Sequence, residues 1–474
     1  MSKHKEMYVY KNRCYMPFIL YPPDMYDVPD AKADSQLIQS LDLDSDGTDF
    51  VMYLSIPYCR VCCKACPYFV DLLPMNNGKT QQLLDRYVDA LVLDLKRHAA
   101  TRRWGNARLR GVYIGGGTGS LLEISHLDKI LSTLSRYFRL ADDCEITLEG
   151  NAKDFDKEKA IFVANSIINR ISLGAQSFQP EVLQIVGSPH KAQQTIDAIR
   201  MLQDAGIEHI QLDMMYNMPG HTLEHWEKDF KVLHELGIKH LTTYLYRVTP
   251  GTRQESLIKA GKVAPVADAE SAIVKQMQTM IRQFAADAGM HNYMYEHYAL
   301  PGYESRYNHW TMKECVDALG FGPGAYSFIN QRRTGISKDV ERYINAVTNG
   351  DNTFTTASIQ LTPKLSKQRY MIFNLLYYRI DKAHYRQAWK TECYDDFKSI
   401  IDGLIRDNLM QDTETEFIVT EPGKNWSQNI MLEFFDDSMW ENSQALKQQQ
   451  SSWAMNNHMI DIGASKKEFW LARM

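Results

Sequence analysis

What most restricts the fold of this chain is a repeat of pattern rather than of letters. From residue 51 to about 300, short apolar segments alternate six times with amphipathic helical ones. VMYLSIP precedes a helix over 80–103, GVYIGGG one near 123–138, and EITLEGN one over 157–167. RISLGAQSF is followed by 191–205, HIQLDMMYNMP by 223–236 and HLTTYLY by 268–288. In 80–103, Leu84, Tyr87, Val88, Leu91 and Leu95 recur at helical spacing on one face, and the other face is polar. Six strand–helix units with right-handed crossovers predict a parallel sheet curled into most of a barrel. The expected class is α/β, a partial (β/α)6 barrel. HNYMYEHYALPG and the glycine-rich GFGPGAY at 320–326 are expected to continue its sheet and close one side of the cavity.

At 474 residues the chain exceeds a single core of ordinary size. The predicted division is an arm over 1–48, a catalytic barrel with its extension over 49–345, a C-terminal domain over 355–436 and a tail over 437–474. After about 350 the character changes. Helices are expected over 365–378 and 395–407, and FIVTEPGKN reads as strand and turn, a small helical or winged-helix-like module without a basic stripe. A net charge of -5 gives no basic excess, so neither nucleic acid nor an anionic membrane is expected as a partner. No apolar run reaches membrane-spanning length, and MSKHKEMYVYKNRCYM lacks the apolar stretch of a signal peptide. A cytoplasmic monomer is expected. Eight cysteines, four of them clustered, do not resemble a secreted disulfide framework.

The chemistry concentrates at predicted strand ends, where a barrel places its active site. Cys59, Cys63 and Cys66, spaced C-x3-C-x2-C, can converge on one soft metal centre, and three protein thiolates leave a four-iron cluster with one open iron. A zinc knuckle is the bland alternative, although no second half-site follows at zinc spacing. Cys62 is left over and is expected to pack. Gly115-Gly116-Gly117-Thr118 follows the second strand and lets backbone approach a ligand closely. Glu149 ends the third strand, Gln176 the fourth, Asp213 and Tyr216 the fifth and Tyr244 the sixth. The two carboxylates could equally be hydrogen-bonded structural groups.

With those residues in view, the chain resembles the radical S-adenosylmethionine superfamily, in the branch like oxygen-independent coproporphyrinogen oxidase. The runs that carry the resemblance are YLSIPYCRVCCKAC, YIGGGTGSL, EITLEGN, NRISLGAQSF, LDMMYNMPGHT, TTYLYRVTPGT and YEHYALPGYESRYNHW followed by GFGPGAYSF. The resemblance implies a [4Fe–4S] cluster on Cys59, Cys63 and Cys66. It also implies cofactor contacts from Tyr53, Phe69, Gly116, Gly117, Thr118, Glu149, Gln176 and Asp213, and a second S-adenosylmethionine beside the first, near Gly117, Thr118, Gly322 and Gly324. Tyr53, Glu149 and Tyr216 are the candidate catalytic residues. The chain also departs from the pattern. Ser55 stands where the family has His, Ala65 where it has an aromatic residue, Ser188 where it has Arg, and Tyr68 where the oxidase has a further Cys. These departures turn the expectation toward a class C radical methylase, which would use two S-adenosylmethionine molecules to methylate or cyclopropanate an sp2 carbon of a small-molecule or natural-product substrate. An electron donor such as flavodoxin or ferredoxin is implied. The alternatives are a tetrapyrrole enzyme, either the oxidase or a haem-degrading methylase, and a non-catalytic haem chaperone.

Overall fold

The computed structural model describes residues 46–66, 68–74, 77–249, 252–351 and 355–436, together with Tyr10 and Tyr21. The tail expected over 437–474 and nearly all of the expected arm lie outside the described residues. Two compact units divide the chain. One holds Tyr26–Asn292 and Glu296–Gln360; the other holds Met1–Met25, Tyr293–Tyr295 and Leu361–Met474.

The larger unit is built on one open sheet. Its six central strands are β1 (Phe50–Ile56), β2 (Arg108–Gly116), β3 (Arg139–Gly150), β4 (Arg170–Gln176), β5 (Ile210–Tyr216) and β6 (His240–Leu245). They pair in sequence order and all in parallel. The helices that return the chain are α1 (Asn77–Ala99), α2 (Ile124–Tyr137), α3 (Lys157–Ala164), α4 (Pro180–Val186), α5 (Ala192–Asp204), α6 (Leu223–Glu235), α7 (Arg253–Lys259) and α8 (Ala272–Asp287). The apolar face expected on α1 is the buried one: Leu84, Tyr87, Val88, Leu91 and Leu95 are each at most 2% exposed. Among the described residues no helix is long and apolar enough to cross a membrane.

The two expected extensions lie at opposite ends of the parallel run. β7 (His297–Ala299) lies antiparallel to β6, whereas β8 (Asp317–Phe321) lies parallel to β1. Beyond β8 come β9 (Tyr326–Ile329), β10 (Arg332–Ile336) and β11 (Thr355–Gln360), all antiparallel. β11 moves a predicted boundary. Residues 355–360 are the sheet's edge strand, so the C-terminal segment of the smaller unit begins at Leu361 and not at 355. The expected break fell at a change in local composition, but pairing with β10 is a long-range contact that composition does not report.

Side chains alternate across the parallel strands with period two. Ile146, Leu148, Ile171, Leu173, Ala175, Leu212, Met214 and Leu241 join the core under the helices. The residues between them, Glu145, Thr147, Glu149, Arg170, Ser172, Gln211, Asp213, His240 and Thr242, carry polar groups on the other face. At the amino-terminal end these groups satisfy one another. Arg170 Nε donates to Glu145 (2.8 Å), one terminal nitrogen meets His240 Nδ1 (2.9 Å) and the other donates to the carbonyls of Tyr303 and Glu304. Glu145 also accepts from Ser305 Oγ and from the N–H groups of Arg306 and Tyr307. Burial alone would raise the Glu145 pKa, but Arg170 and these donors outweigh it and hold the carboxyl below its usual range. The network pins residues 303–307 across the lower end of the strands.

In the smaller unit, α9 (Pro363–Leu375), α10 (Lys382–Trp389) and α11 (Cys393–Arg406) accompany β12 (Arg379–Asp381), β13 (Met410–Asp412) and β14 (Glu416–Val419). The strands form an antiparallel sheet ordered β12-β14-β13. Helix, strand, two helices and two strands follow one another in this unit.

Candidate functional site

The cysteine segment begins where β1 ends. Its base is closed by a short parallel pairing of Tyr58–Cys59 with Asp71–Leu72, together with Asp71 N–H to Pro57 O (2.7 Å) and Leu73 N–H to Cys59 O (3.1 Å). Its tip is held by Lys64, whose backbone N–H donates to Val186 O and whose ammonium donates to the carbonyls of Gln184 and Ile185. Those carbonyls end α4, where a cation meets the negative end of the helix dipole. The Lys64 carbonyl in turn accepts from the N–H of Gln254 at the start of α7. Neither short helix was expected from sequence, yet both fasten this loop.

Cys59, Cys63 and Cys66 are half-buried, and Cys62 is exposed. The expectation that Cys62 packs is therefore corrected: Arg60, Val61 and Cys62 form an exposed stretch of the loop between the half-buried Cys59 and Cys63. Burial, and then repulsion from the neighbouring thiols, pushes Cys59 up to about 11 and Cys63 up to about 12, and Cys66 is raised as well. Each of the three thus keeps its proton until a metal displaces it. Among the described residues no three His, Cys, Asp or Glu side chains gather around a point suited to one ion. A four-iron cluster takes its three thiolates on three different irons and so accepts a wider spacing. The donor set fits it.

Thr118 Oγ1 lies 3.2 Å from Cys59 Sγ and donates to Gly117 O. The glycines beside it are required by close backbone approach. Gly116 has φ +112°, Gly117 N–H donates to Ile56 O (2.8 Å), and a Cβ on Gly117 would stand 2.5 Å from the Tyr58 carbonyl oxygen. On the other side of β1, Ser55 Oγ donates to Pro323 O (2.7 Å), tying down the loop that carries Gly322 and Gly324. Both glycines have positive φ, and Phe69 packs against Gly324. The Ser that replaces the family's His thus fastens the glycine loop to the strand.

Tyr53 stacks on Tyr113 with ring centroids 5.9 Å apart. Glu149 and Asp213 occupy the inward face of β3 and β5, within electrostatic range of each other. Asp213 accepts from Gln211 Nε2 (3.1 Å) and Ser172 Oγ (3.3 Å), and Thr242 stands beside it in strand register. Burial still raises its pKa. Burial also pushes Glu149 up to about 8; the Asp213 charge adds to the rise and the Gly116 N–H opposes it. Gln176 ends β4 at φ 60°. The loop after it hangs on Asp229 of α6, which accepts from Ser177 Oγ, Phe178 N–H and Gln179 Nε2 at 2.7–2.8 Å. His190 spans Asn151 Nδ2 (3.1 Å) and the Ala175 carbonyl (3.3 Å), joining the ends of β3 and β4.

The structure thus brings Tyr53, Thr118, Glu149, Gln176 and Asp213 to the carboxyl ends of the strands around the cysteine loop. Tyr216 does not join them. Three residues beyond Asp213 on a period-two strand, it faces the helices, 4% exposed, packed on Trp226 of α6 with its hydroxyl accepting from Gln278 of α8. The reading of Tyr216 as catalytic is corrected to a core residue. Sequence reasoning missed Ser172 and Gln211, the partners of Asp213, and Thr242 in register beside it. Their signal was the polar alternation inside RISLGAQ, QLDMMY and HLTTYL.

No ion pair with lysine or arginine reaches Glu149 or Asp213 among the described residues.

Comparison with known proteins agrees with this geometry. Residues 53–254 match the Radical SAM superfamily. The haem chaperone HemW of Bacillus subtilis is 25% identical over 379 residues, covering 78% of this chain and 95% of the chaperone. HemW of Synechocystis is 30% identical over 284 residues, 60% of this chain and 67% of that protein. Among solved structures, the coproporphyrinogen III oxidase HemN of Escherichia coli superposes with a TM-score of 0.72 at 21% identity, over 84% of this chain and 93% of the oxidase. The chain belongs to the radical S-adenosylmethionine superfamily, in its HemN-like branch, and so to proteins that carry a [4Fe–4S] cluster and S-adenosylmethionine.

Proposed function

We propose that this chain is a radical S-adenosylmethionine protein whose second ligand is a haem-type tetrapyrrole, taken up at the carboxyl-terminal mouth of the strands. One observation carries the reading. The likeness to a protein named as a haem chaperone runs over 95% of that protein, and so extends well beyond the cluster-binding segment common to the whole superfamily. The expectation of one-carbon transfer from a second S-adenosylmethionine gives way to it, since two relatives matched over 95% and 67% of their own length are named as haem chaperones.

Cys59, Cys63 and Cys66 would hold the cluster. Glu149 and Asp213 would receive the cationic part of S-adenosylmethionine, and Tyr53 would bound its site from β1. When bound, this pair supplies a 5′-deoxyadenosyl radical after one-electron reduction. We take the electron donor to be a flavodoxin or ferredoxin and the compartment to be the cytoplasm, which suits an exposed thiol segment.

Titrating haemin into the anaerobically reconstituted full-length protein tests the reading. It expects a saturable Soret change at one haemin per chain. No saturable uptake refutes it, and haemin-independent formation of S-adenosylhomocysteine would return the methylase reading to first place.

A further inference from the structure

Two aromatic side chains stand open at the mouth of the strands. Tyr68 is 69% exposed and Tyr244 is 38% exposed, whereas the other phenols of this cavity, Tyr53, Tyr113 and Tyr307, are buried or half-buried. Exposure of a single ring on a surface carries no meaning. Here position gives it one. Tyr244 lies two residues beyond Thr242, which pairs in register with Asp213, so the period of β6 turns the ring toward the same interior as the carboxylates. It meets His297 of β7 edge-on, with centroids 6.5 Å apart. Tyr68 comes from the opposite side, on the cysteine segment, with its backbone N–H on the Cys66 thiol. Its phenol lies within electrostatic reach of Glu149, Asp213 and Tyr244. The rings thus come from the first and the last of the six parallel strands and overlook the same pair of carboxylates.

We propose that Tyr68 and Tyr244 are the substrate-binding residues that set specificity for a flat conjugated ring, holding it across the mouth above Glu149 and Asp213. This rests on the tetrapyrrole reading above. A planar π-system is what two exposed aromatic rings can bind over a large area at low cost in side-chain entropy.

The test uses Tyr68→Leu, Tyr244→Leu and Tyr68→Phe in the full-length, cluster-reconstituted protein, with haemin followed by its Soret band and S-adenosylmethionine by equilibrium dialysis. Each Leu variant should bind haemin about three- to tenfold more weakly, and Tyr68→Phe should stay within about twofold of the parent, because stacking needs the ring and not the hydroxyl. Iron content and S-adenosylmethionine affinity should be unchanged in all three. Unaltered haemin affinity in both Leu variants overturns the proposal. So does parallel loss of S-adenosylmethionine, which would assign the rings to the cofactor. If the parent itself takes up no haemin, the tetrapyrrole reading has failed, an outcome distinct from uptake that ignores the two rings.

Discussion

Replacing Glu149 with Gln should make the ligand-free protein more stable, and by an amount set by pH. Glu149 is pushed up to about 8 from 4.5, first by burial and then by Asp213. The sign follows from proton binding. Below pH 4.5 the carboxyl is protonated in both the folded and the unfolded chain, so it has no effect. As pH rises from 4.5 toward 8 the unfolded chain gives up this proton while the folded chain keeps it, so the raised pKa costs stability progressively and levels off above 8. At pH 7 the difference spans about 2.5 units, or about 3 kcal/mol as an upper bound, because water enters the cavity and screens part of it. Gln keeps the acceptor for the Gly116 N–H and removes the titration. The check is denaturant unfolding of the ligand-free parent and variant at pH 5, 7 and 8.5. The variant's advantage should be under about 1 kcal/mol at the first, about 1–3 kcal/mol at the second and no smaller at the third. Parallel stability curves for the two proteins would refute the argument that Glu149 is held in its neutral form. The same group should make S-adenosylmethionine binding release a proton below pH 8, with affinity rising by at most about tenfold per pH unit in the parent and flat in the variant.

Three further outcomes follow from the geometry. Cys62→Ala should retain the full iron and sulfide content and Cys63→Ala should lose it, by anaerobic reconstitution and metal counting; the reverse result would mean that the wrong thiol of the pair was taken as ligand. Arg170→Met strands the Glu145 charge in the lower network and should cost about 3–5 kcal/mol in denaturant unfolding at pH 7, and a loss under about 1 kcal/mol would show that the network contributes little. Gly117→Ala drives a Cβ to 2.5 Å from the Tyr58 carbonyl, so it should lower the melting temperature and weaken cluster retention together, at about 1–3 kcal/mol for an overpacked site; normal melting with normal iron content would show that the turn can shift.

How legible each feature was depended on whether a local period reports it. The six strands and their long helices follow from spacing, because burial against a sheet forces a helical stripe and a parallel strand forces an apolar outer face. α4 and α7, at seven residues each, are too short to show that stripe, and their role is to fasten the cysteine loop through Lys64, which no local signal states. The strand-end rule located Glu149, Gln176 and Asp213 in height but not in facing. Tyr216 shows the difference, since it sits at the same end as Asp213 and faces the other way. Counting by two from Asp213 would have rejected Tyr216 and selected Thr242's neighbour Tyr244 on the next strand. The family resemblance supplied the cluster and its cofactor, but the departures Ser55 and Tyr68 were read only as losses. In the structure Ser55 has a partner of its own, the Pro323 carbonyl.

The contrast between the two ends of the strands bears on function directly. At the lower end Glu145 and Arg170 are about as buried as any groups in the chain, and each is satisfied by several partners, so their charges are held fixed and cannot easily be recruited by a ligand. At the upper end no lysine or arginine pairs with Glu149 or Asp213 among the described residues, and three protonated thiols stand near them. Each of these groups is left in an unfavourable state that one particular addition relieves: a cation for the carboxylates, iron for the thiols. A fold that merely needed stability would have paired them as it paired Glu145. The stability lost here reappears as binding free energy when the ligands arrive, so Glu149→Gln should stabilise the empty protein and weaken the loaded one. That reversal of sign between the two states is what separates a binding carboxylate from a structural one, because a structural carboxylate lowers stability in both when it is removed.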